Sequence, residues 1–402
     1  MHAVTGASDH VDSFRAGREA ADQARAAQAH PDVLLCFASV HTDQAAVLAG
    51  IRTVFPDTPL VGGSSGATIT ETGWRKRAVA LMGLQSDAIR FATGTGLDTH
   101  QDAHAAGRQA AAAVRARLDG SVRTLIPLPQ AVVGCDHPAF LAGLQAILPE
   151  TLIVGGASAM DGMLDPAHPL FLKSFQYHGS GVQEHTAPVL GLDWADGRLH
   201  DACAWGHGFM PIGIAAQVTR ATGNVVQEID DQPALDYFRK YLGGGFDFRV
   251  DAALLPLGLT ETYDAGTTTM RVSPALEPMA DGSVRYIIPI ATGQTVQLVR
   301  TTRTELIQSA RTTAETLQAR LLGRRPGALF MFSCGGRHAL LGDRCADELK
   351  QVQDVFGPEV PLIGLQAGGE FAPMAERRGT YRHPGMYGQW QTYSLCLYAI
   401  AA

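Results

Sequence analysis

Residues 48–65 read LAGIRTVFPDTPLVGGSS, and residues 141–158 read LAGLQAILPETLIVGGAS, in register without a gap. Leu48, Ala49, Gly50, Pro56, Thr58, Val61, Gly62, Gly63 and Ser65 recur as Leu141, Ala142, Gly143, Pro149, Thr151, Val154, Gly155, Gly156 and Ser158. A degraded third copy follows near the C-terminus, where VFGPEVPLIGLQAGGEF (355–371) repeats VFPDTPLVGGSSGAT with one residue inserted before the strand. One supersecondary unit has therefore been used at least three times. Each copy ends in a strand that runs into a small-residue loop, and that loop is where a ligand would sit.

The unit can be read physically. In the first copy VLLCFAS (33–39) is a continuous apolar run, too short for a helix and suited to a strand buried on both faces. Thr42 or Asp43 caps a helix whose Val47, Leu48, Ile51, Val54 and Phe55 share one face, and Pro56 ends it. The chain returns as PLVGG, and RAVALMGL (77–84) supplies a neighbouring strand. In the second copy LIPLPQAVVG (125–134) precedes an Asp136 cap with Pro138 in the first helical turn, an apolar face of Phe140, Leu141, Leu144, Ile147 and Leu148, and LIVGG. In the third, ALFMFSC (328–334) leads through a polar loop to a helix ending near Val355 and Phe356, then PLIG and a closing TYSLCLYAI. Strand–helix–strand–strand units predict an α/β chain of mixed α+β type, its mixed sheets covered by helices.

The chain divides into a tail and amphipathic helix (1–28), an N-terminal domain (29–222) and a C-terminal domain (223–402). The boundary lies around 222–232, after the turn Thr222-Gly223-Asn224, where Asp230 or Asp231 caps a helix with Pro233 in its first turn. LLPLGL (254–259), YIIPIA (286–291) and TVQLVRT (295–301) follow as strands. Thr302-Arg303-Thr304-Glu305 then has capping-box spacing ahead of a helix lined by Leu306, Ala310, Leu317 and Leu321. Both halves read as built on one plan.

Composition bounds the function. With 402 residues, 46% of them hydrophobic, and no apolar run of membrane-spanning length, large cores are expected and a membrane partner is not. A net charge of −7, with no basic cluster longer than Arg75–Arg77, argues against a nucleic-acid surface. The N-terminus lacks a signal-peptide pattern. The six cysteines show no CxxC spacing and read as buried free thiols in a reducing cytoplasm.

The third copy holds the strongest candidate site. Ser333-Cys334-Gly335-Gly336-Arg337 follows a buried strand, where the N–H groups of a glycine turn and a guanidinium can hold a carboxylate. Glu370 follows Gly368-Gly369 on the returning strand and could meet an ammonium, so the two charges suit a zwitterion; alternatively, Arg337 and Glu370 pair with each other. The Gly62-Gly63 and Gly155-Gly156 loops read as tight-packing elements. Cys334 and His338 suggest a cysteine-dependent enzyme, although no third orienting residue can be named. Neither GxGxxG nor GxxxxGK[ST] is present, and His137, Asp136 and Asp161 lack metal-ligand spacing; Asp136 is better explained as a helix cap. Haem iron needs only one His, for which His207, between Trp205 and Phe209, comes first and His338 second.

The run GFMPIG…VTRATGNVVQEIDDQPALDYFRKYLG, followed by LFMFSCGGRHALLG and VPLIGLQAGGEFAP, resembles the FIST family, and VLLCFAS with PLVGGSSGATI is similar to its N-terminal domain. Together the two domains would cover nearly the whole chain. LQAGGEF departs from the aromatic-rich stretch more usual in the family. The resemblance implies a small-molecule sensor of bacterial signal transduction, with amino acids as proposed ligands, and with some stand-alone members binding haem, sensing nitric oxide and regulating a histidine kinase. The two halves leave no room for an output domain, so a separate output protein is expected.

Overall fold

The computed structural model describes every residue except 28–29, 132–133, 160–172, 196, 198, 244, 246, 263–267, 375–383 and 402. It extends the repeat well beyond the stretch of sequence identity. The first copy runs β1 (His2–Ser8), α1 (Ser13–Ala27), β2 (Val33–Ser39), α2 (Gln44–Arg52), β3 (Leu60–Ser65), a hairpin of β4 (Thr68–Thr70) and β5 (Gly73–Arg75), and β6 (Val79–Gln85). Its strands lie in the order β1-β6-β2-β3, with β2 and β3 parallel and the other neighbours antiparallel. The second copy repeats this with β7 (Arg90–Gly96), α3 (Ala103–Arg117), β8 (Thr124–Pro127), α4 (His137–Ile147), β9 (Leu152–Ile153), β10 (Gly155–Gly156), the hairpin β11 (Gln176–His178) and β12 (Gly181–Gln183), and β13 (Ala187–Asp193). Its order is β7-β13-β8-β9.

The third copy opens with β14 (His200–Gly206) and is then interrupted. The chain splits into two compact units, one of Met1–Gly206, Ala310–Trp390 and Leu395–Ala402, the other of His207–Ser309 with Gln391–Ser394. The second unit comprises β15 (Met210–Pro211), β16 (Ala216–Thr222), β17 (Val225–Ile229), β18 (Gln232–Pro233), α5 (Ala234–Leu242), α6 (Phe248–Leu254), β19 (Leu257–Thr262), β20 (Thr268–Ser273), β21 (Ala275–Pro278), β22 (Val284–Tyr286) and β23 (Thr295–Arg300). Among the described residues every strand pair in it is antiparallel, in the order β20-β19-β23-β16-β17-β22-β21. It is therefore not a second edition of the first unit. After it come α7 (Arg303–Arg320), β24 (Pro326–Cys334), α8 (Gly335–Leu341), α9 (Cys345–Phe356), β25 (Leu362–Ala367), the hairpin strands β26 (Glu370–Ala372) and β27 (Gln389–Gln391), and β28 (Leu395–Ala401). The order β14-β28-β24-β25 matches the other two copies.

The three copies are tied by their hairpins. β4 of the first pairs with β25 of the third; β26 of the third pairs with β10 of the second; β11 of the second pairs with β3 of the first. Each copy thus lends strands that pair with a strand of another, and the exchange closes on itself. One face of each sheet contributes to a common core: Val33, Leu35 and Phe37 meet Ile126, Leu190 and Leu192 from the second copy and Phe330, Phe332 and Tyr398 from the third. The alternate residues Leu34, Cys36 and Ala38 pack instead under α1 and α2. This period-2 division is why VLLCFAS is apolar throughout.

The duplicated glycines lie within strands and helices, not in ligand loops. A Cβ on Gly62 would come within 1.8 Å of the Cys36 carbonyl oxygen, on Gly155 within 2.4 Å of that of Pro127, and on Gly364 within 2.4 Å of that of Met331. Gly50 and Gly143 let α2 and α4 approach the backbone of α1 and α3, since a Cβ there would meet the carbonyls of Phe14 and His104. The caps fall where composition places them: Asp43 and Asp136 accept from the amides of Ala46 and Ala139 at 3.0 Å each.

Four local readings are corrected. Residues 2–8 form an edge strand, not a tail, and pair with β6. Asp230 and Asp231 occupy a positive-φ turn, and Pro233 stands at the cap of α5. The run 286–291 is strand only as far as Tyr286, though Ile288 and Ile290 are buried. Residues 335–341 form a short helix, not a glycine turn. Asp161 lies outside the described residues.

Candidate functional site

Each repeat places the loop after its first parallel strand, the start of its second helix and a borrowed hairpin at one sheet end. In the third copy this junction forms a half-open cavity of about 580 Å³ between the ends of β24 and β25 and the β4–β5 hairpin. Trp74, Lys76 and Arg77 come from the hairpin side, and Gly335, His338, Cys345 and Gln366 from the third copy. His41 lies at its edge and also lines a hollow of about 450 Å³ at the equivalent end of the first copy.

Beneath the cavity lies a buried ion pair. Arg337 donates to Glu348 Oε1 from Nε at 2.9 Å and from Nη2 at 2.6 Å, and both side chains are fully buried. Ser333 Oγ donates to Glu348 Oε2 at 2.6 Å, and His338 Nε2 stands 3.5 Å from the same oxygen. Burial opposes the carboxylate charge, yet Arg337, His338 and Ser333 hold its pKa down to about 2. Glu348 was invisible as a candidate because it sits in the first turn of α9, where an acidic residue is ordinarily explained as facing water and complementing the helix dipole.

Three buried atoms on two residues lining the cavity lack hydrogen-bond partners: Trp74 Nε1 and both ring nitrogens of His338, of which Nε2 faces Glu348. The Trp74 and His338 rings meet edge to face at 5.8 Å, and Lys76 Nζ lies 6.0 Å from the Trp74 centroid. Arg77 is exposed and makes no ion pair among the described residues. The Cys345 thiol, against the carbonyl of Gly342 at 3.1 Å, is pushed up to about 11 by burial and then by Glu348, so it is protonated at neutral pH.

The sequence candidates divide between two places. Ser333, Cys334, Gly335, Arg337 and His338 gather at the end of β24 and on α8, around Glu348. Gly368, Gly369 and Glu370 turn toward the second copy instead. The Gly368 amide donates to Ala157 O at 2.9 Å, the Gly369 carbonyl accepts from the Ala157 amide at 2.9 Å, and buried Glu370 stands opposite Gly156 in the β10–β26 ladder. His207 belongs to the second unit, where its Nδ1 accepts the Phe209 amide at 2.9 Å. Among the described residues no cluster of three or more His, Cys, Asp or Glu could hold a metal ion.

The second copy's junction is filled. His137, the first residue of α4, stacks on Trp390 of the β26–β27 hairpin with centroids 3.9 Å apart and planes 6° from parallel, and its Nε2 is 2.8 Å from the Gln130 carbonyl. Both residues are buried. Burial pushes the His137 imidazole down to about 4, so it is neutral. The first copy has Gln44 at this position, bonded to Ser39 O, Thr42 O and the Tyr177 hydroxyl.

Two family models match the chain: the FIST N domain over residues 32–232 and the FIST C domain over 234–373. Uncharacterized proteins of Mycobacterium bovis and Mycobacterium tuberculosis are each 25% identical over 401 residues, covering 95% of this chain and 96% of theirs. An uncharacterized protein of Methanocaldococcus jannaschii is 34% identical over 112 residues, covering 28% of this chain and 18% of its own. The solved structure of T. maritima PurL complexed with FGAR aligns with 99% of this chain and 72% of its own at 10% identity, with a TM-score of 0.22 too low to carry an argument.

Proposed function

Because this chain belongs to the FIST family, whose domains are associated with small-ligand sensing in signal transduction, we propose that it is a sensor whose ligand is a small carboxylate, amino acids included, bound in the strand-end cavity of the third repeat. The observation that carries this reading is the pair of buried, unpartnered groups, Trp74 Nε1 and His338 Nδ1, in a cavity flanked by Lys76 and Arg77. A buried donor without an acceptor costs about 1–3 kcal/mol, which a ligand oxygen would recover. Arg337 supports the floor and is not the anion's first contact, because Glu348 already neutralises it. The bound state would be passed to a separate protein, a histidine kinase in the reading that the family suggests.

The test is calorimetric titration of the full chain with a panel of amino acids and simple carboxylates, repeated on Lys76→Ala/Arg77→Ala. Binding that weakens about tenfold or more in the double variant supports the site. A panel without a binder, or equal binding by the variant, refutes it. The haem reading draws less support from these side chains: His207 Nδ1 is occupied by a backbone amide, and His338 Nε2 faces Glu348. A Soret band on adding haemin, lost in His207→Ala or His338→Ala, would restore it.

A further inference from the structure

The filled junction of the second repeat shows what the open junction of the third is shaped to hold. The two are related residue by residue. His137 is the first residue of α4, and Cys345 is the first residue of α9. Both follow from the repeat: His137 lies 93 positions after Gln44, as Leu141 does after Leu48, and Cys345 lies 301 after Gln44, as Val355 does after Val54. Trp390 is the middle residue of β27, and Trp74 is the middle residue of β5, the corresponding strand of the hairpin donated to the third copy. In the second copy a neutral imidazole covers the indole face. In the third, the side chain at that position is a thiol, and both Cys345 and Trp74 line the cavity.

We propose that the third-repeat cavity takes a planar aromatic or heteroaromatic carboxylate, its ring stacked on Trp74 as His137 stacks on Trp390. This rests on the reading of the cavity as the ligand site and adds the ring to it. Trp74 supplies the platform, Lys76 and Arg77 the cations for the acid group, and the partnerless His338 Nδ1 a polar contact at the ring edge. A flat ring against an indole gains from offset stacking beyond its area, and a puckered ring of the same size does not.

The experiment uses the full chain and three probes: phenylacetate, cyclohexylacetate and acetate. Calorimetry should show phenylacetate binding about two- to tenfold more tightly than cyclohexylacetate. Trp74→Ala should remove that preference and Trp74→Phe largely keep it. Cys345→His, which installs in the third copy the plug found in the second, should abolish binding while Cys345→Ser does not, with near-UV circular dichroism confirming the fold. The Trp74 pair decides the matter even if Cys345→His fails to fold. Equal binding of the planar and puckered acids, or indifference to Trp74→Ala, overturns the ring proposal and leaves the carboxylate site standing. Failure of all three acids, together with every amino acid of the panel, overturns the site itself.

Discussion

Replacing Glu348 by Gln should cost this protein about 3 kcal/mol. Arg337 and Glu348 are fully buried, so the substitution leaves a guanidinium without its counter-charge, and breaking such a pair from one side typically costs about 3–5 kcal/mol. The amide oxygen still accepts from Arg337, and the amide NH2 can donate to the Ser333 hydroxyl oxygen in place of the bond it received, which places the loss at the lower end. The titration of the carboxyl gives a similar figure: a fall from 4.5 to about 2 corresponds to about 3 kcal/mol, at ~1.4 kcal/mol per tenfold change in proton affinity. Because the folded-state value lies below the unfolded one, this stability is complete above about pH 4.5 and is lost as pH falls toward 2. Tryptophan fluorescence during urea denaturation is the assay, since Trp74, Trp194, Trp205 and Trp390 all belong to the first compact unit. The double variant Arg337→Met/Glu348→Leu should recover most of the loss, because it leaves no charge behind. A Glu348→Gln protein within 1 kcal/mol of wild type at pH 7, or a double variant less stable than the single one, would refute the reasoning.

Gly62→Ala should destabilise by more than about 3 kcal/mol or prevent folding, because the added Cβ would lie 1.8 Å from a strand carbonyl. Gly181→Ala, whose nearest neighbour would be 3.6 Å away, should stay within about 0.5 kcal/mol, and urea midpoints compare the two. His137 is neutral in the fold, its pKa lowered from 6.5 to about 4 by burial, so its contribution is complete above about pH 6.5 and lost as pH falls toward 4. That slope, about 3 kcal/mol, should vanish in His137→Gln, which carries the residue that the first copy has at this position; an unchanged slope in the variant would assign the acid lability elsewhere.

The legible part of the fold was local. VLLCFAS and ALFMFSC declare buried strands because both faces of those strands are apolar, and Asp43 and Asp136 declare helix starts because capping chemistry is set within four residues. The hairpin exchange was not legible: three-residue strands such as Thr68–Thr70 show too little alternation, and their partners lie up to hundreds of positions away. The interruption of the third copy after Gly206 was missed for a related reason, since compactness is a property of contacts and not of order along the chain. At the site, the glycine-rich run after β24 and its Arg and His stood out, whereas Trp74 lies in a segment with no periodicity and becomes informative only beside Trp390.

The exchange of hairpins also sets a number. In a solenoid each repeat touches only its neighbours, so copies can be added or lost at an end with a roughly constant change in stability. Here the first copy lends to the third, the third to the second and the second to the first, and there is no end at which to add or remove anything. Deleting any copy would leave one sheet with an open edge and one hairpin with nothing to pair with, both costly in unmet backbone hydrogen bonds. A fourth copy could enter only by opening the ring. The arrangement therefore counts to three, and substitutions that specialise one junction, such as His137 closing the second, can accumulate without altering that count.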